Sequence, residues 1–322
     1  MQTGGWKMRR FAIAVAWSTV CLNTAPRNAR CAELKPETVA AFNLYVQVSE
    51  AQMDADIRAG RFLLVDSLPE AQRQQAYAQL QHGDLYIKPQ RTLQAGRAIR
   101  VPSGLIHHWA GAIFIRGATL KQVNSVLKDF DNAPNIFKPE LQQFRVLGRD
   151  GEGLKAFIRV YYKSIITVTY NVLLDLHEAQ VENNRILTRC YSTRVAQVHD
   201  PAGREEHELP VGKDYGFMWR LYTCWHLEGK DGGVYVEIEA VSLSRGIPAV
   251  FAPLVKPLTE SIPRNILTDL LTDTRMAVRS AGAEYPSVID YGLSGQHKAS
   301  LSAIVTSVLE GGRVLDMSGG VE

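Results

Sequence analysis

Cysteine is scarce in this chain. There are four in 322 residues, at positions 21, 31, 190 and 224, and none stands in a CxxC or Cys/His spacing, so the usual structural zinc sites are excluded. Excess charge of one sign is missing too: 36 basic residues face 33 acidic ones for a net +3. No basic cluster sits inside the body, which argues against a nucleic-acid partner. No GxGxxG or GxxxxGKS run offers a phosphate loop, and no HExxH offers a catalytic metal pair. Beyond residue 20 no apolar run is long enough to cross a bilayer. The pattern calls for no metal and no cofactor.

What is present begins at the N-terminus. Lys7, Arg9 and Arg10 precede the apolar run Phe11 to Val20, followed by Asn23, Thr24, Pro26 and the small-residue stretch Ala29-Arg30-Cys31-Ala32. This is the order of a secretory signal, so residues 1–32 are expected to be a signal peptide and the mature protein secreted or periplasmic; an uncleaved anchor is the alternative. Cys190 and Cys224 then remain in the body. An even pair in an exported protein is a disulfide candidate, and a loop centred near residue 207 would bring the two opposite each other. Two buried thiols are the other reading.

Apolar residues at helical spacing, Val39, Phe42, Val46, Met53 and Ile57, predict a helix from Pro36 to Ile57, and a second is expected from Pro69 to Leu80. With short strands near residues 84–88 and 98–101, residues 33–100 form an N-terminal extension packed on the body. The body, 101–283, starts with a strand from Trp109 and a helix capped by Thr119 and Gln122. From Phe144 the period changes to two, giving successive antiparallel strands: Ala156, Ile158, Val160 and Tyr162; Ile166, Val168, Tyr170, Val172 and Leu174; Leu187, Arg189 and Tyr191; Trp219, Leu221, Thr223 and Trp225; Val234, Val236 and Ile238. Ser261 and Pro263 open a closing amphipathic helix from Ile262 to Ala281. Residues 284–322 read as a loosely ordered tail. The order implies an α+β fold in which a curved antiparallel sheet grips the C-terminal helix over an apolar cavity.

That order, with Phe130-Asp131-Asn132, Phe137-Lys138-Pro139-Glu140, Gly216-Phe217-Met218-Trp219-Arg220 and Gly233-Val234-Tyr235-Val236-Glu237 leading to Ser242-Leu243-Ser244-Arg245, resembles the START-like (SRPBCC, helix-grip) superfamily, in particular its exported bacterial branch. The resemblance covers residues 100 to 283. It implies a hydrophobic ligand, lipid-like or otherwise, between sheet and last helix, and a minority of members are cyclases. It supplies no ligand motif to carry over residue by residue.

The cavity lining is therefore read from apolarity alone: Ile158, Val160, Tyr162, Val168, Tyr170, Val172, Trp219, Leu221, Thr223 and Trp225 on the sheet, Ile266 and Leu270 on the helix. No catalytic set competes well with ordinary packing. His107 and His108 are adjacent, so they point to opposite faces and cannot jointly chelate a metal; they read as a polar lead-in to the first strand. Glu237 and Glu239 share a strand face, expected to be solvated or bonded to Arg220 or Arg189. Two alternatives to a carrier stay open: a cyclase or dehydratase using Tyr170, His226 or Glu239 in the same cavity, and a periplasmic interaction module using extension and tail. Transient membrane contact and a protein partner are left open.

Overall fold

Short turns dictate the topology. Asp231 and Gly232 both carry positive φ, 55° and 72°, the twist that joins two strands through a tight two-residue turn, and the strands on either side, β12 (Arg220–Lys230) and β13 (Gly233–Arg245), pair in register from end to end. The computed structural model describes residues 32–151, 153–163, 167–246 and 252–283. The signal segment with Cys21 and Cys31, Ile166, and the tail 284–322 lie outside the described residues.

Before these come β1 (Ala32–Glu33), β2 (Tyr86–Pro89), β3 (Leu93–Gln94), β4 (Arg97–Ala98), β5 (Gly104–Arg116), β6 (Leu141–Asp150), β7 (Gly153–Lys163), β8 (Thr167–Glu182), β9 (Arg185–His199), β10 (His207–Glu208) and β11 (Lys213–Asp214). One nine-stranded sheet runs β2-β5-β13-β12-β9-β8-β7-β6, with β10 added to β9, while β1 pairs with β11 and β3 with β4. Every pairing is antiparallel. Bulges in the β8–β9 and β6–β7 ladders bend the strands and increase their twist.

Helices cover both faces. α1 (Pro36–Arg58) and α2 (Glu70–His82), joined through a 3-10 turn at Leu64–Ser67, pack on one side. The same face of α1 carries Phe42, Tyr45, Val46, Ser49 and Met53, all buried, and with Phe62, Leu63 and Leu80 they form one core against Phe114, Trp219, Tyr222, Tyr235 and Leu243. Phe62 and Leu63 are each 2% exposed and Leu80 is fully buried, and such side chains contribute about 1.5–3 kcal/mol apiece. The extension is thus part of the core. β5 begins five residues before Trp109, at Gly104, where the absence of a side chain permits close packing: a Cβ would meet Thr38 of α1 at 2.8 Å and Leu243 at 2.9 Å.

On the other face lie α3 (Leu120–Leu127), the short α4 (Ala133–Ile136) and the long α5 (Ala252–Ala283). The Thr119–Gln122 capping box of α3 forms as its sequence predicts. α5 starts ten residues earlier than Ile262, running through Ser261 and Pro263 rather than being capped by them. Leu267, Leu271 and Val278 pack on Ile113, Ile115, Val236 and Ile238, and Gly111 permits the approach, since a Cβ there would lie 3.1 Å from Leu271.

Two expectations fail on register and face. Cys190 stands opposite Thr223 and Cys224 opposite Arg189, one residue away from mutual opposition, so the two thiols point to opposite sides of the sheet and both are free and buried. The loop's centre falls half a position short of residue 207, and in a strand a one-residue slip reverses the face. Trp219 packs on the extension side with Tyr222 and Leu243, because its backbone N–H donates to Leu243 O at 2.7 Å just before β12 starts and its indole N–H to Asp214 Oδ1 at 3.0 Å. It does not line the helix side.

Candidate functional site

The helix side divides into two regions. α5 rests on β5, β13 and β2, whereas β7, β8 and β9 carry a separate apolar cluster, Ile158, Val168, Tyr170, Val172, Leu174 and Val195, with Val160 and Tyr162 half-buried against it. Between them the central strands show a contrast along their length. On β12, Tyr222, Cys224 and His226 face the extension and are buried, while the alternating Leu221, Thr223 and Trp225 face α5 and stay half-buried. Trp109 of β5 and Ala240 of β13 repeat the pattern. From the helix, Leu270 packs on the α5-side core and Ile266 is half-buried. The anticipated lining residues, Trp219 excepted, therefore fall on one face, an apolar wall that α5 covers along one half. Among the described residues the buried Tyr170 hydroxyl has no hydrogen-bond partner, and burial raises its pKa.

The extension side holds the ionisable groups, and sequence reasoning misplaced them. Glu237 and Glu239 are not solvated: Glu237 is 2% exposed, accepting from the backbone N–H of Leu64 at 2.8 Å. Burial, then the neighbouring Glu239, Asp66 and Glu228 charges, drives its carboxyl well above the usual range against the Leu64 hydrogen bond. Glu239 is half-buried; desolvation pushes its pKa up, but the hydrogen bond (2.8 Å) and electrostatic attraction of His108, the attraction of His226 and the hydrogen bond from Ser49 (3.0 Å) outweigh it and hold the pKa below the ordinary value. Neither pairs with Arg220 or Arg189; Arg189 instead clasps Asp54 and Glu50 of α1.

His108 is no lead-in. Its ring is buried between α1 and the sheet, with Nδ1 3.0 Å from the Tyr45 hydroxyl, which itself accepts from Thr92 N at 2.8 Å. On its other side Nε2–H donates to Glu239 Oε1 at 2.8 Å. His107, on the other face, meets Ser244 Oγ at 2.9 Å. His226 Nδ1 donates to Phe62 O at 2.7 Å, its Nε2 has no partner among the described residues, and burial lowers its pKa. The peptide that supplies these contacts is braced by Asp66, which accepts from Phe62 N and Leu63 N at 2.9 Å each. A cleft of about 260 Å³ opens beside Ser49, Met53, Phe62, His108, His226, Glu237 and Glu239. Among the described residues no group of three His, Cys, Asp or Glu side chains can hold a metal ion.

Tyr45, Ser49 and Thr92 were not singled out from sequence. The available signal was weak: Tyr45 and Ser49 stand one turn apart on the apolar stripe of α1, where a polar residue must find a partner.

The sheet order and the helix laid across it are those of a helix-grip fold. No protein-family model and no curated protein matches the chain. Among solved structures it is similar to a STAR-related lipid transfer protein from Xanthomonas axonopodis, with 15% identity over 56% of this chain and 97% of that one and a TM-score of 0.38. It is also similar to the Zhui aromatase/cyclase from Streptomyces sp. R1128, with 12% identity, 55% and 96% coverage and a TM-score of 0.38. Human STARD10 gives 8% identity, 68% and 83% coverage and a TM-score of 0.38. At such scores the functional reading rests on this chain's own residues.

Proposed function

We propose that the protein holds a hydrophobic small molecule, lipid-like in character, against the α5 side of the sheet, and that it acts as an exported carrier rather than as an enzyme. The observation that supports this is the alternation on β12: Tyr222, Cys224 and His226 are buried, while Leu221, Thr223 and Trp225 between them remain half-buried on the gripped face. An apolar face left partly wet beside a covering helix loses hydrophobic stabilisation that an apolar guest restores. The cyclase or dehydratase alternative loses two of its three residues, since His226 and Glu239 stand on the far side of the sheet from Tyr170.

The test is extraction of the protein purified from its native host, with mass spectrometry of the extract, followed by titration of the delipidated protein with laurate while Trp fluorescence is recorded. The expected result is a co-purifying apolar molecule and a saturable change in emission that Trp225→Phe diminishes. An empty extract together with no response to laurate overturns the reading. Export is tested separately, by N-terminal sequencing of the protein from the culture medium or periplasm, which should begin after Cys31 or Ala32.

A further inference from the structure

We infer that the guest of the gripped face is an uncharged amphiphile with a hydroxyl or carbonyl head, and that His107 and Ser242 hold that head; this rests on the reading of the face as a binding site. Strand register carries the inference. Across β5, β13 and β12 the face under α5 is built of rungs two residues apart, because residues opposite each other in a ladder share a face. Ile113, Val236 and Leu227 form one rung; further along come Trp109, Ala240 and Thr223, and then His107, Ser242 and Leu221. The first rung is sealed, with exposures of 0%, 0% and 1%, whereas all six residues of the other two are half-buried. The wall thus grades from aliphatic to polar along the strands, and its polar end keeps the accessible surface.

The charges of these strands fall elsewhere. By the same alternation every Lys, Arg, Asp and Glu of β5, β12 and β13, from Arg116 to Glu237 and Glu239, stands on the opposite face. A carboxylate or ammonium head brought to the polar rung would leave water without meeting a counter-charge on the sheet, and such desolvation is costly. An uncharged head exchanges hydrogen bonds with water for hydrogen bonds with the protein. The rung supplies them. The Ser242 hydroxyl can donate and accept, and among the described residues it has no hydrogen-bond partner. His107 engages Ser244 Oγ through Nε2 at 2.9 Å, which leaves Nδ1 for a guest. Burial lowers the His107 pKa, so at pH 7 the ring is neutral and offers a carboxylate no cation. Four residues along the strands from His107 and Ser242 stand Gly111 and Ile238, with Trp225 opposite Ile238. That span, about 13 Å at the rise of a strand, accommodates the apolar body.

Titration of the full-length protein with 1-dodecanol, laurate and dodecylammonium, which share one chain length, tests this by Trp fluorescence. Dodecanol is expected to bind at least about tenfold more tightly than either ion; this ranking needs no variant. Ser242→Ala separates recognition of the head from the greater apolarity of the alcohol. It should weaken dodecanol about three- to tenfold, the worth of one hydrogen bond, and leave laurate unchanged while circular dichroism stays native. In the wild type, 15N-histidine NMR should show the His107 ring signals move on addition of dodecanol. Laurate or dodecylammonium binding as tightly as dodecanol, full dodecanol binding by folded Ser242→Ala protein, or His107 signals that stay still would each overturn the uncharged head and leave the gripped face standing as a binding site. No response to any of the three ligands overturns both.

Discussion

Cys190 and Cys224 lie on neighbouring strands, a single register step from direct opposition, and project to opposite faces of the sheet. Burial pushes the Cys190 thiol up to about 12 and the Cys224 thiol well above its ordinary value. Both should resist alkylation in the native protein and react fully in denaturant, because the thiolate is the reactive form. Peptide mapping after mild oxidation is expected to find no Cys190–Cys224 bridge; finding one would mean that the β9–β12 register differs.

Glu237 and Glu239 should give stability opposite slopes with pH. Glu237's folded pKa is raised above 4.5, so its contribution is complete below that value and is lost as pH rises toward the folded pKa. Glu239's is lowered, so its contribution is present above 4.5 and is lost as pH falls through the folded pKa. Glu237→Gln keeps an acceptor for Leu64 N and removes the ionisation; relative to wild type it should gain in Tm between about pH 5 and 8. Glu237→Ala orphans the Leu64 N–H and should cost about 1–3 kcal/mol. A pH-independent difference between Glu237→Gln and wild type, read by calorimetry, would contradict the assignment of Glu237 as a neutral acid.

Arg189 reaches from β9 to Asp54 and Glu50 on α1, while Tyr191 beside it donates to Glu50. Arg189→Ala should cost only about 1 kcal/mol, because Asp54 is partly exposed and the pair is screened. The effect should be local: amide exchange is expected to speed up in α1 around Glu50 to Asp54, with β6 to β8 unchanged.

Adjacent residues on β12 should respond very differently to truncation. Tyr222 is 1% exposed in the extension-side core, so Tyr222→Ala is expected to cost about 3–5 kcal/mol, as for other buried aromatics. Leu221, half-buried on the gripped face, should cost about 1 kcal/mol as Leu221→Ala. The Leu221 variant should instead weaken laurate binding. Urea denaturation and the fluorescence titration together separate the two effects, and equal destabilisation by both substitutions would remove the basis for a partly open gripped face.

Local pattern made most of the elements legible. The period-two runs located β7 to β9, β12 and β13, and the capping pattern at Thr119 located α3, because these signals act within a few residues. What escaped depends on pairing across the chain. Nothing near His108 indicates that β13 will lie beside it and bring Glu239 within 2.8 Å. Glu237 and Glu239 are expected from sequence to be solvated or bonded to Arg220 or Arg189, because a one-sided antiparallel sheet exposes its polar face; here α1 and the 62–64 peptide cover that face, so Glu237 is buried, Glu239 half-buried, and both are satisfied by hydrogen bonds. The disulfide expectation required register to better than one residue, a precision that a twenty-residue connection with its own short strands does not supply.

The stitching of α1 to the far strands has a consequence for biosynthesis. Ser49 meets Glu239 across 190 positions of sequence, and β1 pairs with β11, at Lys213 and Asp214. The ribosome releases this segment well before the strands that cover it. Phe42, Val46, Phe62 and Leu63 must therefore wait with their apolar faces uncovered until β12 and β13 emerge, the circumstance in which nascent chains depend most on chaperones. A segment made early finds its place only once those strands have been made.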